Sequence, residues 1–225
     1  MPISSFPDPR NLKGSAPEDG IVAVGGDLHP KTLIQAYSQG IFPWPVESSD
    51  ESGWLLPWFC PARRAILEFD RLHVPRSLER ALKKTKLHFT LDQRFESVIE
   101  ACARIKRPGQ PGTWITAEMF QAYLKLHHLG HAHSVEAWDG TRLVGGVYGV
   151  AVKGVFAGES MFHLSPNASK LALLFLIEHL RSRKASWIDI QVLTPHLEAL
   201  GAREISRDAF LKKLSATQSL GLHLF

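Results

Sequence analysis

Apolar residues concentrate in three stretches, Ala132 to Trp138, Leu143 to Val152 and Val155 to Ser160. Asp139-Gly140 and Lys153-Gly154 separate these segments, so the pattern predicts a three-stranded antiparallel meander. Ser165 or Asn167 then caps a long helix, and Ser186 to Gln191, SWIDIQ, reads as a returning strand. A period of two places Val155, Ala157 and Glu159 on one face of the first of these two strands. It places Trp187, Asp189 and Gln191 on one face of the second. A crossover helix makes the two strands parallel, so Glu159 and Asp189 arrive at one sheet edge, where α/β sheets tend to bind ligands. The middle meander strand, LVGGVYGVAV, carries three glycines, which implies a close approach to its backbone.

Before the meander, Leu33, Ile34 and Tyr37 fall on one stripe of a helix near Pro30 to Gln39, with Gly40 as its stop. Gly25-Gly26-Asp27 ahead of it reads as a turn, since no phosphate-loop lysine and serine follow. Ser77 is expected to cap a helix over Leu78 to Lys84, and Asp92 another whose Phe95, Val98, Ile99 and Cys102 form the buried stripe. A loop rich in Gly and Pro, Arg107 to Gly112, leads through Thr113-Trp114-Ile115 to a helix from about Ala117 to Leu129, ended by Gly130. Most prolines and many aromatics precede residue 65, and regular periodicity follows it. A boundary there divides the chain into domains of residues 1–65 and 66–225.

The 225 residues, 44% of them hydrophobic, suffice for a substantial core. Two cysteines, Cys60 and Cys102, exclude a disulfide framework and a cysteine-rich zinc site. The N-terminal stretch has no signal-peptide pattern, and the longest apolar run, Leu171 to Ile177, is far short of the ~20 residues a membrane span needs. A soluble, cytoplasmic chain is therefore expected. His127, His128, His131 and His133 lack a nearby cysteine or carboxylate at familiar ligand spacing, so a metal site is not expected. A net charge of +4 decides little by itself. Its placement matters more: Arg76, Arg80, Lys83 and Lys84 fall on one helix stripe, a credible surface for a phosphate backbone and equally an ordinary solvated face. Trp114, at a loop-to-helix junction, is either a packing anchor or a pocket wall.

An antiparallel meander, a helix and a parallel strand follow the core order of GNAT-type acyltransferases. The pyrophosphate loop of that class has its nearest counterpart in Arg142-Leu143-Val144-Gly145-Gly146-Val147, which lies inside a strand and ends in valine. That departure counts against coenzyme A as donor. A coenzyme A-dependent acetyltransferase on this fold is one rival reading.

The strings AVGGDL (residues 23–28), AYSQGIFPW (36–44), TWIT (113–116), GHAHSVEAW (130–138), LVGGVYGVA (143–151), GESMF (158–162), NASK (167–170) and IDIQ (188–191) run in order through nearly the whole chain. Together they closely resemble the bacterial leucyl/phenylalanyl-tRNA–protein transferase family. The resemblance implies an α+β chain: a GNAT-like catalytic domain, with a mixed sheet and flanking helices, preceded by a small N-terminal α/β domain that contributes aromatic pocket residues. It implies an aminoacyltransferase that moves leucine or phenylalanine, and less readily methionine, from aminoacyl-tRNA to the α-amine of proteins beginning with Lys or Arg, marking them for degradation by the N-end rule. The ester is already activated, so no cofactor, coenzyme A or metal is expected, nor a membrane partner, and the chain is expected to be a monomer. Matched positions make Asp189, Gln191 and Glu159 the catalytic group, with Asp189 holding or deprotonating the amine and Gln191 orienting it or the carbonyl. Tyr37, Trp44, Trp114 and Tyr123 are expected around the aminoacyl end and terminal adenosine. Val147, Phe156 and Met161 are expected to wall the side-chain pocket, and Arg76, Arg80, Lys83 and Lys84 to contact tRNA. Two departures from the family pattern are Trp58-Phe59-Cys60-Pro61-Ala62-Arg63-Arg64, which bears on local loop structure, and His163, which bears on the pocket rim.

Overall fold

In the computed structural model, residues 5–14, 20–47, 54–105 and 114–225 are described. The loop Arg107 to Gly112 and Thr113 lie outside them. In chain order the elements are β1 (Ile21–Val24), α1 (Pro30–Ser38), β2 (Phe42–Pro43), β3 (Val46–Glu47), β4 (Trp54–Leu55), β5 (Pro57–Phe59) and β6 (Arg63–Glu68). They continue as α2 (Arg76–Lys84), β7 (His88–Leu91), α3 (Phe95–Arg104), α4 (Ala117–His128), β8 (Ala132–Asp139), β9 (Arg142–Val152) and β10 (Val155–His163). The last are α5 (Ala168–Ser182), β11 (Trp187–Gln191), α6 (Pro195–Glu198), β12 (Arg203–Ser206) and α7 (Arg207–Gln218).

A mixed seven-stranded sheet with flanking helices dominates, in the order β12-β6-β11-β10-β9-β8-β7. Neighbours are antiparallel except β10 and β11, which α5 connects as a parallel pair with Ala157 opposite Asp189. The expected meander and crossover are therefore present. One face packs against α1, α3 and α4, where Tyr148 and Val150 of β9 share a core with Leu33, Val98 and Tyr123. Against the other face lies α5, with Leu173 and Leu176 set beside Val147, Phe156 and Ile188. Helix α7 closes a third cluster through Phe210 and Leu214 on Ile66 and Trp187.

The expected boundary near residue 65 falls inside β6, and Leu33, Ala36 and Ile41 share their core with α3 and α4. Composition shifts there, and the strands before β6 pair among themselves, as β1-β5-β2 and β3-β4. The helix stops hold, with Gly40 at φ 76° and Gly130 at φ 75°. Two expected caps differ. Ser77 sits within α2, whose N-cap is Pro75. Asp92 serves β8 instead, accepting from the Ser134 N–H at 2.8 Å and pairing with His133 Nδ1 at 2.7 Å, while Arg94 occupies the N-cap of α3. Asn167 is at the N-cap of α5 in a left-handed conformation, φ 63°, with no capping bond from its side chain.

Protein, not ligand, approaches the glycines of β9. A Cβ on Gly145 would lie 2.6 Å from that of Ala168 in α5, and one on Gly149 would lie 2.2 Å from the carbonyl oxygen of Ala157. Gly149→Ala is accordingly expected to lower unfolding free energy by about 1–3 kcal/mol, read by urea denaturation, because backbone on a central strand cannot retreat like a flexible side chain.

Candidate functional site

The site lies where β10 and β11 part. β10 bulges between Gly158 and Ser160, and β11 between Asp189 and Gln191, where Gln191 takes φ 56°. A bulge inserts one residue and re-aims its neighbours. Here the two bulges turn Glu159 and Gln191 toward each other across the gap, and the Gln191 amide Nε2 donates to Glu159 Oε1 at 3.1 Å. A left-handed backbone at a residue other than glycine is costly and must be held from outside. Asp189 holds it, its Oδ1 accepting the Gln191 N–H at 3.1 Å.

Asp189 is itself clamped. Arg64 donates from Nε to Oδ1 at 2.8 Å and from Nη2 to Oδ2 at 2.7 Å, with side chains only 1% and 5% exposed. The guanidinium is sandwiched between Phe42 and Phe210, 4.5 and 4.6 Å from the ring centroids. Burial pulls the Arg64 pKa down, and the Asp189 carboxylate more than offsets that, so the net direction is upward. Arg64 was not among the expected site residues. Its sequence signal is a cation opening Ala65-Ile66-Leu67, a run with no polar face, all three residues buried.

Glu159 has different surroundings. Tyr123 donates its hydroxyl to Glu159 Oε2 at 3.1 Å, and the Tyr37 hydroxyl lies 2.5 Å from that of Tyr123. Burial raises the Glu159 carboxyl to about 7; the hydroxyls of Tyr37 and Tyr123 pull it down, Asp189 pushes it up and Arg64 pulls it down. Burial likewise pushes both phenols well above the usual tyrosine value, helped by the nearby Glu159. Tyr37 and Tyr123 were expected around the aminoacyl end and terminal adenosine. With 6% and 0% exposure they offer no ring face to a base and instead aim hydroxyls at a carboxyl group.

Glu159 and Gln191 border a cavity of about 270 Å³. Val147, Phe156 and Met161 line it, joined by Leu173, Ile188 and Ile190. Trp44 and Trp114 form its aromatic side, stacked at 6.1 Å and 25° and each half-buried. Trp114 thus both lines the cavity and packs against the core. Asp189 does not border the cavity. A broader groove of about 860 Å³ lies between Phe6, Gln39 and Leu211, away from these groups. Apolar walls leading to a polar end suit a ligand with an apolar side chain and a reacting polar group.

The remaining expected residues are placed as follows. Arg76, Arg80, Lys83 and Lys84 of α2 are all exposed. His127 bonds the Ala132 carbonyl and stacks on Phe95, while His133 faces Asp92. Among the described residues no group of three or more His, Cys, Asp or Glu is placed to hold a metal ion. His163 is exposed at the end of β10, and His196 of α6 borders the cavity. Burial lowers the His196 pKa, as do Lys170 and His163 nearby. The departing segment is ordered around Trp58, whose indole N–H donates to Gly25 O at 2.8 Å, and it delivers Arg64. No helix among the described residues is long and apolar enough to cross a membrane.

Comparison with known proteins gives two adjoining matches. Residues 26–62 match the family described as leucyl/phenylalanyl-tRNA protein transferase N-terminal domain, and residues 66–215 the family described as leucyl/phenylalanyl-tRNA protein transferase. A leucyl/phenylalanyl-tRNA–protein transferase of Anaeromyxobacter dehalogenans (strain 2CP-C) is 50% identical over 211 residues, spanning 94% of this chain and 87% of that one. One from Maridesulfovibrio salexigens is 49% identical over 214 residues, spanning 95% and 85%. A solved structure of a conserved Staphylococcus epidermidis protein of unknown function aligns at TM-score 0.43 and 10% identity, over 81% of this chain and 66% of that one, too loosely to carry an argument.

Proposed function

The chain belongs to the leucyl/phenylalanyl-tRNA–protein transferase family, and on that premise we propose how its cavity serves aminoacyl transfer from tRNA to the N-terminus of a protein. It is an aminoacyltransferase, and aminoacyl-tRNA and a protein are its substrates. The observation that carries the site assignment is the cavity itself: apolar from Val147 to Ile190, and closed by Glu159 and Gln191.

In this reading the amino acid's side chain lies among Val147, Phe156 and Met161, which favours leucine and phenylalanine, with methionine less readily used. Its ester carbonyl then faces Glu159 and Gln191, and the terminal adenosine lies along Trp44 and Trp114. An unprotonated α-amine attacks an ester without prior activation, so the site needs to position, to move a proton and to stabilise an oxyanion. Acceptors beginning with Lys or Arg bring positive charge. Of Glu159 and Asp189, Glu159 alone borders the cavity. Addition of leucine or phenylalanine then marks the acceptor for the N-end rule. The main body corresponds to a GNAT-like fold: its meander, crossover helix and single parallel pair follow that order. The segment before residue 65 acts as a smaller unit that supplies Phe42 and Trp44 to the site. A monomeric chain working without coenzyme A completes the proposal.

Transfer of labelled phenylalanine from tRNA to a peptide beginning with Arg tests the reading, and no transfer by folded protein overturns it. Acetyl-CoA consumption unaffected by aminoacyl-tRNA would favour an acetyltransferase instead. The α2 stripe has its own test. Reversing charge at Lys83 and Lys84 is expected to weaken tRNA binding and to reduce the slope of log affinity against log salt by about one to two. An unchanged slope would make the stripe an ordinary solvated face.

A further inference from the structure

We infer that Glu159 carries the proton during transfer and that Asp189, held by Arg64, is a positioning residue for Gln191. This rests on the transfer reaction proposed above. Asp189 was the residue expected to hold or deprotonate the amine, but its surroundings oppose that role. Its two oxygens already accept from three donors: Arg64 Nε, Arg64 Nη2 and the Gln191 backbone N–H. It is 4% exposed and does not border the cavity. To reach an incoming amine it would have to leave a buried guanidinium unpaired.

Glu159 is free of such a clamp. It borders the cavity, and its partners there are neutral donors: the Gln191 amide and the Tyr123 hydroxyl, with the Tyr37 hydroxyl beyond. Each carboxylate oxygen has two acceptor directions, so Oε1 and Oε2 can take a further proton while keeping these bonds. The step balances on these groups alone. The amine nitrogen attacks the ester carbon and the C–N bond forms. A proton passes from that nitrogen to Glu159. The tetrahedral intermediate then collapses, the bond from carbon to the ribose oxygen breaks, and Glu159 returns the proton to that oxygen. Glu159 ends as it began. A carboxyl group poised near 7 suits both halves of such a relay, since it neither holds the proton too firmly nor releases it too readily. Gln191 meanwhile keeps Glu159 oriented through Nε2, and its left-handed backbone depends on Asp189 Oδ1.

The groups facing Glu159 are Tyr37 of α1, Tyr123 of α4, Asp189 and Gln191 of β11, and Arg64 of β6. The phenols are raised well above the usual tyrosine value, and Arg64 above its own. His196, across the cavity, is common to every protein compared below and cancels from the comparison.

The test is the pH dependence of kcat/KM for a peptide acceptor at saturating aminoacyl-tRNA. Below about pH 6.5, wild-type activity requires both the acceptor's α-amine, of pKa ~7.7–8.0, and the proton carrier to be deprotonated. Glu159→Gln is expected to lower the rate about 100-fold or more and to reduce the slope of log rate against pH by one unit. Asp189→Asn is expected to lower kcat at least about tenfold with the slope of the wild type. A Glu159→Gln slope equal to that of wild type overturns the inference, and so does an Asp189→Asn slope reduced by one. If Asp189→Asn does not fold, the Glu159→Gln slope decides alone. Failure of the transfer reading shows separately, as absence of transfer by the wild-type protein.

Discussion

Replacing Arg64 with methionine is expected to abolish measurable transfer and to lower unfolding free energy by about 3–5 kcal/mol, because it strands the Asp189 carboxyl group in a site only 5% exposed. The double replacement Arg64→Met with Asp189→Leu is expected to recover most of that stability, since a buried pair exchanged for apolar side chains of similar volume is often neutral. The rings of Phe42 and Phe210, which now sandwich the guanidinium, would accept a methionine thioether between them. Transfer is not expected to return with stability. Gln191 would lose the acceptor that holds its N–H at 3.1 Å, and with it the left-handed backbone that points its amide at Glu159. Denaturant unfolding and the phenylalanine transfer assay, run on both single variants and the double, complete the cycle and separate the two effects. A double variant as active as wild type would show that the pair serves the fold alone.

That separation bears on what the chain discloses as a sequence. Apolar stretches, turns and the period of two are local properties, and with the crossover helix they located β8, β9, β10 and β11 and the parallel relation of the last two. The period also placed Glu159 and Asp189 at one sheet edge, but it could not show that the strands bulge there. A bulge adds a residue without changing the apolar run around it. Consequently the alternation that put Asp189 and Gln191 on one face described them as equals, whereas one lies beneath the site and the other borders it. Arg64 is 125 positions from its partner, and nothing near it in sequence names Asp189. Its flanking residues did carry information, because a cation within a run of buried apolar residues requires an acceptor. The tyrosines show another limit. Residue type gives an aromatic ring and a hydroxyl, and only packing decides which of the two a ligand meets. For Tyr37 and Tyr123 packing buries the rings and sets the hydroxyls beside Glu159, and neither residue lines the cavity. Asp92 is a case of competition: the same carboxyl group that can cap a helix is drawn to Ser134 and His133 of β8.

Trp44 and Trp114 present a different outcome, since both line the cavity and their rings stack on each other. Trp44 is anchored by its backbone N–H on Pro57 O at 3.0 Å and by edge contact with Phe42 at 6.1 Å. Trp114 stacks on its indole at a tilt of 25°. Base stacking on such a wall contributes about 1–3 kcal/mol. Trp114→Ala is thus expected to raise KM for aminoacyl-tRNA about 5-fold to 150-fold, with KM for the acceptor peptide unchanged and kcat retained at saturating donor. Trp114→Phe should recover much of the loss, because a smaller ring still provides a π-face. If the two indoles only stabilised each other, Trp114→Ala would shift the denaturation midpoint and leave donor KM where it was. The two readings differ because stacking energy used for packing is present before the donor arrives, whereas stacking energy used for binding appears only in the complex and must be read as affinity.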